Sequence, residues 1–307
     1  MRGLVGVCAL ALALAGCPSF HAGPLPGAPA DATFVDVDGV HVHYREAGVG
    51  PAVVLLHGYG ASIELWRGVQ DALARHHRVI ALDLKGFGWT SRPPGDYAPP
   101  AQATLAWHVL DQLGVGDVAV VGHSWGSSVA LAMALDQPAR VRRIALYSAY
   151  VFEAQVPSFF RWARLGGVGE FLFAAYYRQR MEDRAALAYH DARFVTQARV
   201  DRIEADAARP GAVAAALATA RGQRYAEVER RYRDLRQPTL LLWGDDDLVT
   251  PLRYGRRLAR ELPDARLEVF PDCGHIPMVE AANPTNRVLA AFLAADDSSV
   301  ADRGAAP

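Results

Sequence analysis

The stretch "GHSWGS", residues 122–127, follows the apolar run "VAVV" at 118–121 and puts a serine between two glycines where a strand turns into a helix. Glycine lets the backbone take the tight, close-packed turn that lifts a side chain above the end of a sheet. One reading is a nucleophilic Ser124, and the rival is a turn that merely needs glycine. A serine hydroxyl attacks poorly at neutral pH, so the first reading also requires a base and a group to orient it. Both residue types appear downstream. "WGDDDLVTP", 243–251, offers Asp245, Asp246 and Asp247, and "DCGHIPMVE", 272–280, offers His275, each after an apolar run.

Outward from the elbow, short apolar runs at 52–56, 78–83, 118–122 and 143–148 alternate with helical patterns near 62–76, 100–113 and 124–136. Continuous apolar strands separated by amphipathic helices predict a mostly parallel sheet covered on both faces, an α/β fold. The rhythm resumes at 239–244, with a helix near 252–261, a strand at 266–270 and a last helix near 283–294. Between them, 151–236 lacks a comparable strand and carries helical spacing, so it reads as a helical cap inserted into one core made of 33–150 and 237–297. Upstream, "TFVDVDGVHVHYREAG" alternates around Asp38-Gly39 and predicts a hairpin.

With G-x-S-x-G between strand and helix, and acid and histidine following in the order Ser, Asp, His, the chain resembles the α/β-hydrolase superfamily. The family pattern G-x-x-D-x-x-x-P falls on Gly244, Asp247 and Pro251, and G-H-x-P falls on Gly274, His275 and Pro277. "HGYGAS", 57–62, is similar to the oxyanion loop, and "DLKGFGWTS", 83–91, to the D-x-x-G-x-G-x-S segment, with Thr90 where serine is usual. The resemblance covers about 33–295 and fades in the cap. It implies Ser124 as nucleophile, His275 as base, Asp247 as the acid orienting it, and backbone N–H groups of Tyr59 and Trp125 as the oxyanion hole. No metal or cofactor is implied.

The formal charge of −1 and a pI near 6.8 speak against nucleic acid and favour a small neutral or apolar ligand. Three cysteines, Cys8, Cys17 and Cys273, are too few and too scattered for a disulfide framework or a tetrahedral metal site. The chain opens "MRGLVGVCALALALAGC", and its apolar run from Leu4 to Ala15 is too short to span a bilayer. "LAGC", Leu14–Cys17, resembles a bacterial lipobox, which implies a signal over 1–16, a lipidated Cys17, and a protein anchored to the cell envelope facing the periplasm or exterior. A plain secretory signal with a fortuitous cysteine is the alternative. The Pro/Gly/Ala-rich segment to residue 32 reads as a flexible tether and 298–307 as a disordered tail.

Other candidates have plainer readings. His57 and His123 read as braces for the oxyanion loop and elbow, and His41 with His43 as a solvated hairpin face. Cys273 reads as packing. Phe159, Phe160, Trp162, Phe171, Phe173, Tyr176 and Tyr177 read as the cap's own core, although they could line a pocket. Serine at 124 argues against epoxide hydrolases and haloalkane dehalogenases, whose elbow carries aspartate. The resemblance therefore implies a serine hydrolase acting by acyl transfer. A carboxylesterase for small or medium apolar esters is the first expectation, and hydrolysis of a carbon–carbon bond in a vinylogous diketone, as in ring-cleavage hydrolases, is the second. Lipidation counts against the second, since those substrates arise inside the cell. A non-catalytic surface binding module is the third, and the intact Ser124, Asp247 and His275 speak against it. Oligomeric state stays open.

Overall fold

The computed structural model describes residues 18–179 and 181–304. Eight strands, β1 (Thr33–Val37), β2 (Val40–Ala47), β3 (Ala52–Leu56), β4 (Arg78–Leu82), β5 (Val118–His123), β6 (Val141–Tyr147), β7 (Thr239–Gly244) and β8 (Ala265–Phe270), form one sheet in the order β1-β2-β4-β3-β5-β6-β7-β8. The β1–β2 hairpin turns at Asp38-Gly39 and joins antiparallel to β4, whereas β3 to β8 run parallel. Val53 and Leu55 of β3 face one core cluster and Val54 and Leu56 the other, which is why the strand is apolar at every position rather than alternating.

The helices that cover the sheet are α1 (Arg67–Leu73), α2 (Pro99–Gln112) and α3 (Trp125–Asp136). Between β6 and β7 all described regular elements are helical. The longer ones are α4 (Ser158–Ala163), α5 (Val168–Tyr176), α6 (Met181–Leu187), α7 (Gln197–Ala208) and α8 (Ala212–Gly222), and they make a cap with its own small cluster around Phe173, Tyr177 and Leu217. The chain then returns to the core through α9 (Arg253–Glu261), α10 (Pro277–Glu280) and α11 (Ala282–Gly304).

Three expectations change. Residues 18–32 are laid against the body instead of swinging free: His21 and Arg92 exchange backbone hydrogen bonds at 2.9 and 2.8 Å, Leu25 is buried, and Phe20 stacks on Tyr97. One buried leucine and a short ladder suffice to hold a segment whose composition alone suggests a linker. The tail expected to be disordered from 298 continues α11 to Gly304, with neither proline nor glycine intervening after Pro284. In the cap, Phe173 and Tyr177 are core, but Trp162, Phe171 and Tyr176 are exposed. The proposed lipobox lies outside the described residues. Among the described residues no helix is long and apolar enough to cross a membrane.

Candidate active site

Ser124 follows the last residue of β5 and precedes the first residue of α3 with φ 50° and ψ −122°, a left-handed backbone that a side-chain-bearing residue adopts only when its surroundings force it. The forcing contacts are visible in the flanking glycines. A Cβ on Gly126 would lie 2.2 Å from the Leu56 carbonyl oxygen, and one on Gly122 would lie 2.7 Å from the Gly126 carbonyl oxygen. Helix α3 is thus pressed onto the end of β3, and the turn is held by Ser124 N–H donating to Tyr147 O at 2.9 Å. The N–H of Trp125, at the first position of α3, has no intrahelical acceptor. Gly58 of the oxyanion loop passes so near that a Cβ there would sit 3.0 Å from Ser124 Cβ.

His275 and Asp247 come from the loops after β8 and β7. These loops meet because Gly244 has no side chain: a Cβ there would lie 2.2 Å from the Cys273 and Gly274 carbonyls. His275 Nδ1 meets Asp247 Oδ2 at 2.9 Å, and both residues are buried. Asp247 Oδ1 accepts from Val249 N–H and Thr250 N–H, and Oδ2 from the Thr250 hydroxyl at 2.8 Å. Burial pushes this carboxyl upward, but the facing His275 and the Thr250 donors outweigh it and hold the group below the ordinary aspartate range. Asp245 and Asp246 are exposed and make no bond to His275, so the geometry singles out Asp247 among three adjacent aspartates.

His123 and His57 brace this arrangement. His123 Nε2 donates to the His275 carbonyl at 3.0 Å, and the two rings are 4.8 Å apart, so the residue beside the serine also fixes the histidine loop. Burial pushes His123 down to about 3, which keeps it neutral. His57 Nδ1 donates to Gly58 O at 2.8 Å while Nε2 accepts from Leu84 N–H, and burial lowers its pKa as well. Cys273 is buried, and burial pushes its thiol up to about 12, which leaves no thiolate to attack.

Two residues escaped the sequence reading. His43, expected on a solvated face, is buried and meets Asp83 at 2.6 Å; Asp83 also accepts from Ile63 N–H and Trp89 N–H, tying the end of the oxyanion loop to β4. Hairpin alternation could not show this, because the partner is forty residues away. His41, by contrast, pairs with Asp36 near the surface. Thr90 fills the serine position of its motif by donating to Asp83 O at 2.6 Å and accepting from His43 N–H.

The second is Glu280. Its Oε1 accepts from the N–H groups of His190 and Asp191 in the cap, at 2.8 and 3.1 Å, and its Oε2 accepts from Gly274 N–H at 2.8 Å. His275 N–H itself donates to the cap carbonyl of Ala188 at 2.8 Å. A Cβ on Gly274 would lie 2.7 Å from His190 N, so this glycine is what lets the cap close on the histidine loop. The cap also grips the oxyanion side, where the Tyr59 hydroxyl donates to Ala216 O at 3.1 Å and Arg202 pairs with Glu64.

A serine on a left-handed elbow, with a paired histidine and aspartate at the carboxyl ends of a parallel sheet, defines the nucleophile-elbow class of α/β proteins. The chain belongs to the alpha/beta hydrolase fold family, whose model matches residues 51–282. Among curated proteins it is similar to a 2-hydroxy-6-oxo-2,4-heptadienoate hydrolase of Pseudomonas putida, with 33% identity over 283 residues, covering 84% of this chain and 95% of that one. It is also similar to a 2-hydroxymuconate semialdehyde hydrolase of a Pseudomonas species, with 30% identity, covering 85% and 93%. Of solved structures, a meta-cleavage product hydrolase superposes with a TM-score of 0.74 at 26% identity, covering 85% of this chain and 97% of that one.

Proposed function

We propose that this protein hydrolyses a carbon–carbon bond beside a ketone in a ring-cleavage product, using Ser124, His275 and Asp247. The supporting observation is the coincidence of the buried Asp247–His275 pair beside an elbow serine with relatives named for such substrates. This reverses the order of the two activities expected from sequence. His275 takes the Ser124 proton as Oγ attacks the ketone, and the N–H groups of Trp125 and Tyr59 receive the oxyanion. In the keto tautomer of a 2-hydroxy-6-oxo dienoate, the electron pair of the breaking bond flows into the conjugated second carbonyl. The resulting dienolate takes the proton from His275 and leaves as the neutral dienol, and water then releases the acyl group from Ser124 with His275 as base. Asp247 keeps the imidazole in the Nδ1–H tautomer throughout.

Ester hydrolysis is the second reading, because the same triad splits esters and because Leu14–Cys17, if lipidated, places the site outside the compartment where ring-cleavage products form. Turnover of a 2-hydroxy-6-oxo dienoate and of p-nitrophenyl esters of increasing chain length distinguishes the two. The dienoate is expected to have the higher kcat/KM, with both activities lost in Ser124→Ala. Esters turned over at least tenfold more efficiently would overturn the first reading, equal rates in Ser124→Ala would mean that Ser124 is not the nucleophile, and no turnover of either substrate by the wild type would return the chain to a binding module.

A further inference from the structure

The tip of the cap exposes an apolar patch that its own packing does not use. Trp162 and Leu165 are each 57% exposed, Val168 43% and Phe171 36%, and all four lie within ten residues around the turn between α4 and α5. Gly166 and Gly167 at the turn have open space where a Cβ would stand. Charge around the tip is one-sided. From Val156 to Met181 the only acid is Glu170, and it is tied to Arg221 at 2.9 Å, while the exposed Arg161 donates to the Glu153 carbonyl at 3.4 Å and keeps its remaining N–H groups toward solvent. Trp beside aliphatic side chains and an exposed guanidinium is the chemistry of a membrane interface, with the apolar parts in the acyl boundary and the cation among anionic headgroups.

The place where the described chain begins points the same way. Only residues 18–20 separate Cys17 from His21, which is fixed to Arg92 and packed against Gly211 at the start of α8. Helix α8 runs from there to Arg221, which holds Ala163 O and Glu170 at the tip, so its eleven residues put His21 and the tip about 16 Å apart on one edge of the cap.

We infer that Trp162, Leu165, Val168 and Phe171 insert into the surface of an anionic bilayer, with Arg161 on the headgroups, and that this is the bilayer to which a lipidated Cys17 attaches. The orientation rests on the lipobox reading, but the insertion itself does not. The purified full-length protein is added to phosphatidylethanolamine–phosphatidylglycerol vesicles with brominated acyl chains, and the Trp162 signal is taken as the difference between wild type and Trp162→Phe. That signal is expected to fall at least twofold. Leu165→Ser combined with Val168→Ser is expected to cut the quenched fraction about tenfold, with hydrolysis of a soluble substrate retained as proof of folding. Equal quenching in wild type and Trp162→Phe overturns the inference. So does a dimer that dissociates on Leu165→Ser without lipid quenching, which would assign the face to a second copy. The mass of the N-terminal peptide reports separately on Cys17: an unmodified Cys17 with Trp162 still quenched removes the anchor and keeps the insertion.

Discussion

The sheet and the cap of this protein are built to different tolerances. The side chains of β3 and β7 are buried on both faces, and the elbow glycine Gly126 leaves no room even for a methyl group. The two ends of the cap segment enter the main core through Val151, Phe152, Tyr232 and Leu235, but its helices have a small cluster of their own, half of it alanine, show Trp162 and Leu165 to solvent, and meet the site loops through Tyr59 and through polar stitches at Glu64, Glu280 and His275. Close packing fixes a position to tenths of an ångström, whereas a few hydrogen bonds hold an edge and can be exchanged for water. The sheet therefore sets the chemistry, and the cap is the part free to change with the substrate.

That contrast is broken most sharply at the triad. Asp247→Asn is expected to lose about 10^4 in kcat, because the amide would favour the wrong imidazole tautomer. Asp246→Asn, one residue away but facing solvent, is expected to stay within about threefold, and a comparable loss there would mean that His275 is oriented from the wrong carboxylate. Steady-state kinetics on one substrate, with circular dichroism to confirm folding, checks both.

Paired glycine substitutions sharpen the same comparison through stability. Gly126→Ala puts a methyl 2.2 Å from Leu56 O and should cost about 3 kcal/mol or more. Gly166→Ala at the cap tip meets nothing within 4 Å and should change stability by no more than about 0.5 kcal/mol. Urea unfolding of the two variants gives the difference, and similar losses would mean that the cap is packed as tightly as the sheet.

The smallest effects belong to the stitch between cap and histidine loop. Glu280→Gln keeps one acceptor oxygen and should lower kcat about tenfold while moving KM less, as expected of a residue that positions His275 from outside the substrate site. Beside it, His190 meets Asp246 at 2.9 Å, and that hydrogen bond, with the charges of Asp246, Asp272 and Glu280, raises its pKa above the ordinary histidine value. A raised histidine pKa makes its contribution complete below the unfolded value and lost as pH rises through the folded one. Hydrogen exchange at the amides of 188–191 should therefore speed up modestly above neutral pH, beyond its intrinsic base catalysis, and His190→Ala should remove that excess.

Much of the active site was readable without coordinates, because an elbow needs glycines at fixed spacing and a doubly covered sheet needs uninterrupted apolar strands; both are local demands that leave local marks. Ser124 and His275 are proposed from such marks, whereas local sequence leaves Asp245, Asp246 and Asp247 open and only the family pattern implies Asp247. Tertiary structure decided what depends on residues distant in sequence: that Asp247 alone of three aspartates turns inward to His275, that His43 is buried on Asp83, that Glu280 receives the cap, and that residues 18–32 lie on the core. These are pairings across forty residues or more, or differences in burial between neighbours of identical type, and composition and periodicity carry no information about either.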